Sequence, residues 1–157
     1  MRHLFSAFLF LLLIGASTKT FSQNNNIGVN FSYNGSSGLN NELRYEKMIS
    51  SRFLLGTSAA YNFRFAYSLN FGFKYDLLKS TKFSLFTGMD YKLESIKFYG
   101  TDTKKIKENS LEVPLEFRYH LSNKFSLSAG FSIPFSIDKG RQGEDLLILR
   151  VGIIRRF

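Results

Sequence analysis

Residues 53–77 read FLLGTSAAYNFRFAYSLNFGFKYDL, and this stretch decides how the chain folds. Its odd positions are Phe53, Leu55, Thr57, Ala59, Tyr61, Phe63, Phe65, Tyr67, Leu69, Phe71, Phe73, Tyr75 and Leu77. Its even positions are Leu54, Gly56, Ser58, Ala60, Asn62, Arg64, Ala66, Ser68, Asn70, Gly72, Lys74 and Asp76. The first set is almost wholly apolar, the second mostly small, polar or charged. Successive side chains of a strand point to opposite faces, so a period of two predicts strand and not helix. As a single strand the stretch would run about 80 Å at roughly 3.3 Å per residue. The chain must therefore turn near its middle. A three-residue loop at Asn62, Phe63 and Arg64, with Tyr61 paired to Phe65, keeps the parity of both arms.

The same alternation marks six further strands. Ile27, Val29, Phe31 and Tyr33 define the first, and Leu39, Leu43 and Tyr45 the second, with Asn41 as a lapse. Phe83, Leu85, Met89, Tyr91 and Leu93 define the fifth, with Thr87 between them. The sixth runs through Leu111, Val113, Leu115, Phe117, Tyr119 and Leu121, and the seventh through Phe125, Leu127, Ala129, Phe131, Ile133, Phe135 and Ile137. Leu147, Leu149, Val151, Ile153 and Phe157 define the eighth. Each strand is about as long as a tilted bilayer crossing requires, and eight is the smallest usual number for a transmembrane barrel.

An internal repeat supports the count. Ser50-Ser51-Arg52-Phe53 recurs as Ser80-Thr81-Lys82-Phe83 and as Ser122-Asn123-Lys124-Phe125. Each copy is a short polar turn, a cation and the start of an alternating strand, so the repeating unit is a hairpin. The other connections vary: Gly35 to Gly38 is short, Ile96 to Ser110 long and polar, Asp138 to Asp145 intermediate. Short turns on one side and variable loops on the other are usual in outer-membrane barrels, with the short turns periplasmic.

The start of the chain has a different character. Arg2, an apolar run from Phe5 to Ile14 broken by Ser6, then Gly15, Ala16, Ser17 and Thr18 follow the secretory pattern. The run is too short for a transmembrane helix, which needs about 20 residues. Residues 1–22 are read as a cleaved signal peptide, and residues 23–157 as the mature barrel beginning at Gln23.

Composition narrows the remaining choices. The 157 residues include no cysteine, so neither a disulfide framework nor a thiolate metal site exists. No cofactor motif occurs. The formal net charge of +9 does not indicate a nucleic-acid partner, because the cations are scattered among strands and loops and form no basic stripe. Alternation alone does not say which face is inward, but the content of the polar face does. It carries Glu42, Arg44, Glu46, Lys74, Asp76, Asp90, Lys92, Glu94, Glu112, Glu116, Arg118, His120 and Arg150 together with many glycines and serines. The interior of an eight-stranded barrel is just wide enough for side chains. Small residues make room there for long charged ones, while the bulky Phe, Tyr and Leu suit an unconfined lipid-facing surface. Acids and bases on the inner face are nearly balanced, so it is read as a network of ion pairs closing the lumen. The alternative is a soluble barrel of the opposite polarity carrying an apolar ligand.

The segment Leu111-Glu112-Val113-Pro114-Leu115-Glu116-Phe117-Arg118-Tyr119, the Gln23 start after an apolar leader and the terminal Phe157 resemble the outer-membrane β-barrel domain family common in Bacteroidetes. That resemblance implies an eight-stranded antiparallel up-and-down barrel in the outer membrane of a Gram-negative bacterium, with periplasmic termini. It implies contact with outer-membrane lipid and lipopolysaccharide, and a monomer is expected. Leu149, Val151, Ile153 and Phe157 look like the signal read by the barrel-assembly machinery. Arg155 departs from that pattern, where an apolar or aromatic residue is usual.

Three features carry further expectations. Pro114 and Pro134 fall inside strands six and seven, where proline removes a ladder bond. With Leu121 paired to Phe125 they lie opposite Ser132 and Glu112, and a bulge or early fraying is expected there. Lys97, Lys104, Lys105 and Lys107 make the long loop basic, suited to lipopolysaccharide phosphates or an acidic partner. His120-Leu121-Ser122-Asn123 resembles the His-x-Ser-Asn element of outer-membrane lipid A deacylases. Turn chemistry accounts for Ser122 and Asn123 as well, so no enzyme is expected. The role expected is structural, adhesive or accessory.

Overall fold

The computed structural model describes residues 25–34, 38–62, 66–97, 105–137 and 147–157; the expected leader lies outside them. Eight strands follow in order: β1 (Asn25–Asn34), β2 (Gly38–Met48), β3 (Phe53–Asn62), β4 (Ala66–Lys79), β5 (Phe83–Lys97), β6 (Lys105–His120), β7 (Phe125–Ser136) and β8 (Ile148–Arg156). Each pairs antiparallel with the next, and β8 pairs with β1 to close the sheet. Closure leaves no strand edge, the condition that hydrocarbon imposes on β structure. The even strand count brings residues 25 and 156 to one end, beside the turns at residues 49–52, 80–82 and 121–124. This is the short-turn end.

The barrel is apolar outside and polar inside. Among the described residues the buried hydrophobic side chains are Ile27, Leu54, Phe86, Ile148 and Ile154 alone. The side chains most completely buried are Leu54, Glu46, Glu112, Asn30, Asn62 and Ser132, all but one of them polar. Phe31, Phe71, Phe73, Phe117, Leu149 and Val151 stand on the outside, with Val151 56 % exposed. A soluble fold would reverse this assignment, so the reading as a soluble barrel around an apolar ligand is overturned.

The registers refine the strand assignments. Tyr61 pairs with Tyr67 and not with Phe65, so Asn62 still belongs to β3 and β4 begins at Ala66. A slip of two residues preserves parity, and for that reason alternation could not choose between these pairings. The β5–β6 hairpin also runs further than expected, its backbone pairing continuing to Lys97 and Lys105. Backbone pairing persists there beyond the alternating apolar positions.

Pro114 does lie opposite Ser132, and Pro134 opposite Glu112. The expected bulge or fraying between β6 and β7 is absent, since that ladder runs unbroken from Ser110–Ser136 to His120–Ser126. Pro114 instead interrupts the other side of β6. Pairing with β5 passes from Thr87–Leu115 directly to Asp90–Glu112, and the Thr87 hydroxyl donates to the Pro114 carbonyl at 3.0 Å. A register shift falls at Leu77, between β4 and β5. Gly88 lies in the Pro114 gap and faces Lys74 of β4. A Cβ there would come within 2.9 Å of the Lys74 Cα and closer still to the Phe73 carbonyl oxygen, so this approach of β4 to β5 needs glycine.

Candidate functional site

The even-numbered residues of the strands converge in the lumen as a connected set of ion pairs. Glu46 of β2 and Glu116 of β6 form its centre. Arg118 donates to both, at 2.7 Å to Glu46 and 2.6 Å to Glu116. Lys74 of β4 lies 3.0 Å from Glu46 and also binds Glu116. Arg44 reaches Glu116 at 2.7 Å and Glu42 at 3.3 Å. Glu42 continues the chain to Arg150 of β8 at 3.6 Å. Arg150 binds Glu112 and donates to the Ser132 hydroxyl at 2.6 Å, which donates on to Glu112 at 3.1 Å. Lys92 completes the group, 3.6 Å from Glu112 and 2.9 Å from Glu94. Five carboxylates thus face five cations. A single ion stripped of water is strongly disfavoured, so such charges persist inside a barrel only when paired and hydrogen-bonded.

Ten of the twelve lumen charges expected from sequence enter this network. Asp76 and Asp90 occupy the same face but make no ion pair among the described residues. Sequence reasoning missed Ser132 as the hydroxyl bridging Arg150 to Glu112, and also the Asn70–Ser58 contact at 3.0 Å. Their even positions were the available signal, since parity alone sends them inward. Between these groups remain cavities of about 10 Å³, each the size of one water. Leu54, Phe86 and Ile154 lie toward the short-turn end, where the Arg118 guanidinium covers the Phe86 ring at 4.4 Å. Beyond them the barrel opens into a vestibule of about 700 Å³, lined by Arg52, Lys79, Ser84, His120 and Arg156 among others.

His120 sits at this mouth between two serines. Its Nε2 is 3.1 Å from the Ser84 hydroxyl, and its Nδ1 is 2.8 Å from that of Ser126. Ser122 is engaged elsewhere, where its hydroxyl accepts the backbone N–H groups of Lys124 and Phe125 at 3.2 and 3.1 Å. The histidine and serine of the deacylase-like element therefore have separate partners, and the serine serves turn chemistry.

Of the expected basic loop, Lys105 and Lys107 begin β6 and Lys97 ends β5, whereas Lys104 lies outside the described residues. At the C-terminal end Leu149, Val151 and Ile153 face outward. Arg155 keeps the same parity. Its guanidinium lies over the rings of Phe157 at 4.7 Å and Phe125 at 5.8 Å, so aromatic faces shelter the cation at the rim.

A closed eight-stranded barrel with an apolar exterior and a polar lumen defines a transmembrane β-barrel of the outer-membrane type. The chain belongs to the outer membrane protein beta-barrel domain family, whose model matches residues 21–147. No curated protein matches the sequence. Among solved structures, the N-terminal barrel of Pseudomonas aeruginosa OprF superposes with a TM-score of 0.75 at 8 % identity, covering 87 % of this chain and 98 % of that one. Yersinia pestis Ail in a phospholipid nanodisc gives 0.54 at 12 % identity, covering 85 % and 99 %. Neisserial surface protein A gives 0.53 at 15 % identity, covering 85 % and 95 %. At these identities the likeness is one of fold.

Proposed function

We propose that this outer-membrane barrel is not an enzyme and serves a structural, adhesive or accessory role with its lumen closed by ion pairs. The observation carrying the proposal is the set of five carboxylates and five cations, linked from β2 through β4, β5 and β6 to β8, around cavities no larger than a water. A pore would need those pairs to separate, each leaving an unpaired charge away from bulk water. The engagement of Ser122 in its turn favours the non-enzymatic reading. A leader at residues 1–22 delivers the chain to the periplasm. The assembly machinery reads the C-terminal alternation through Phe157, and the barrel stands as a monomer among phospholipid and lipopolysaccharide with its termini and short turns periplasmic. Adhesion is the first role to assay, since one barrel of like fold is named as an attachment invasion locus protein.

Planar bilayers test the closed lumen. The refolded barrel should give no steady conductance, and Glu46→Gln combined with Lys74→Met should raise leak events. Stable channels in the unaltered protein would overturn the reading. Incubation with radiolabelled lipid A should release no acyl chain. Release abolished by Ser122→Ala would establish an enzyme instead.

A further inference from the structure

The vestibule at the short-turn end has no part in the proposed function. Its volume of about 700 Å³ falls within the range of small-molecule pockets, roughly 300–1,000 Å³. Leu54 and Phe86, both buried, form an apolar floor between it and the ion pairs of the lumen. Arg52 at the β2–β3 turn, Lys79 at the end of β4 and Arg156 at the end of β8 line it. All three are exposed and make no ion pair among the described residues.

Lys79 is there because its strand is irregular. It holds an odd position, and unbroken alternation would turn it outward. The register shift between Asp76 and Leu78 pairs Lys79 with Ser84, a buried residue that also lines the vestibule. Leu77 and Leu78 both stay outside, and Lys79 turns in, where its ammonium donates to the Ser51 carbonyl of the next turn at 2.9 Å. Bulges re-aim side chains in this way beside functional sites. Asp76 borders the same irregularity. It is 3 % exposed and lies in the vestibule wall, and its Oδ1 accepts no hydrogen bond from the described residues. Buried carboxylate oxygens are otherwise satisfied in folded proteins, so this one marks the place of a donor. His120 does not supply it, because both its ring nitrogens are engaged, by Ser84 and Ser126.

We infer that the vestibule binds short acidic peptides with a free amino terminus. Arg52, Lys79 and Arg156 meet the carboxylates through charge-assisted hydrogen bonds, and the Asp76 carboxylate receives the ammonium. Leu54 and Phe86 carry the side-chain methylenes. Glutamyl-glutamate presents the complementary set, three carboxylates and one ammonium. An anion without an amine leaves Asp76 unmet, and an amine without carboxylates faces three like charges. The short turns are periplasmic in the function proposed above, and the binding does not depend on that placement.

Nuclear magnetic resonance of the isotopically labelled barrel in neutral maltoside micelles tests it, with glutamyl-glutamate as the probe at low salt. The amide resonances of Arg52, Asp76 and Lys79 should move on titration, and the N-acetylated dipeptide should bind about tenfold more weakly. Asp76→Asn should bind the two forms alike. Arg52→Gln combined with Arg156→Gln should weaken both by about tenfold or more. The band of each variant should still shift on boiling in SDS, which shows that it folds. The comparison of the two dipeptides on the unaltered barrel needs no variant and decides even where one fails to fold. Resonances that stay in place, or equal affinity for the two dipeptides, would overturn the inference. So would a preference for the free amine that survives in Asp76→Asn, or inorganic phosphate bound as tightly as the dipeptide.

Discussion

Arg44 of β2 donates to Glu116 of β6 at 2.7 Å, a bond between strands on opposite sides of the barrel that share no backbone pairing. Glu116 also accepts from Arg118 at 2.6 Å and holds Lys74, so three cations depend on one carboxylate. Glu116→Ala would leave them buried and under-paired, a loss of about 3–5 kcal/mol. The urea midpoint of the detergent-folded barrel should fall accordingly, with Glu116→Gln intermediate. An unchanged midpoint would mean that the network carries no stability.

The β6–β8 side of the lumen depends on an uncharged residue. Ser132, wholly buried, accepts from Arg150 at 2.6 Å and donates to Glu112 at 3.1 Å. Ser132→Ala leaves both groups short of a partner, a loss of about 1–3 kcal/mol. Hydrogen exchange should speed up across β7 and β8 in particular, while exchange in β3 is unchanged.

Two glycines should respond differently to alanine. At Gly88 the added methyl meets the Phe73 carbonyl and the Lys74 Cα, so Gly88→Ala must push β4 from β5 and lower the folded yield on heat-modifiability gels. At Gly38 the methyl meets nothing, but φ is +79°. The loss there is about 1 kcal/mol of backbone strain, and folding yield should hold.

Depth should decide the effect of arginine on the outer face. Val151→Arg, in the middle of β8, is expected to destabilise by about 2–4 kcal/mol, whereas near the interface arginine costs about 0–1 kcal/mol. Arg155 lies at that boundary over Phe125 and Phe157, so Arg155→Leu should shift stability by no more than about 1 kcal/mol. Unfolding titrations in lipid vesicles compare the two, and equal effects would contradict the assignment of β8 depth.

The sequence by itself determined the strand number, the polarity of the two faces and the parity of the strands, save at the end of β4, where the register shift at Leu77 turns Leu78 outward. Those properties are periodic in single residues: a side chain at an even position cannot reach the outer face without breaking its strand. The repeat Ser-x-basic-Phe likewise located three turns at one end without reference to any contact. The tertiary structure alone decided the registers and the pairings. A two-residue slip leaves parity intact, so only the folded sheet selects Tyr67 over Phe65 as the partner of Tyr61, and only the closed sheet shows that Pro114, which has no N–H to donate, interrupts the pairing with β5 and not with β7. Which carboxylate holds which cation was decided there too. Glu116 and Arg44 are 72 residues apart, and no local pattern encodes a distance that closure of the barrel sets.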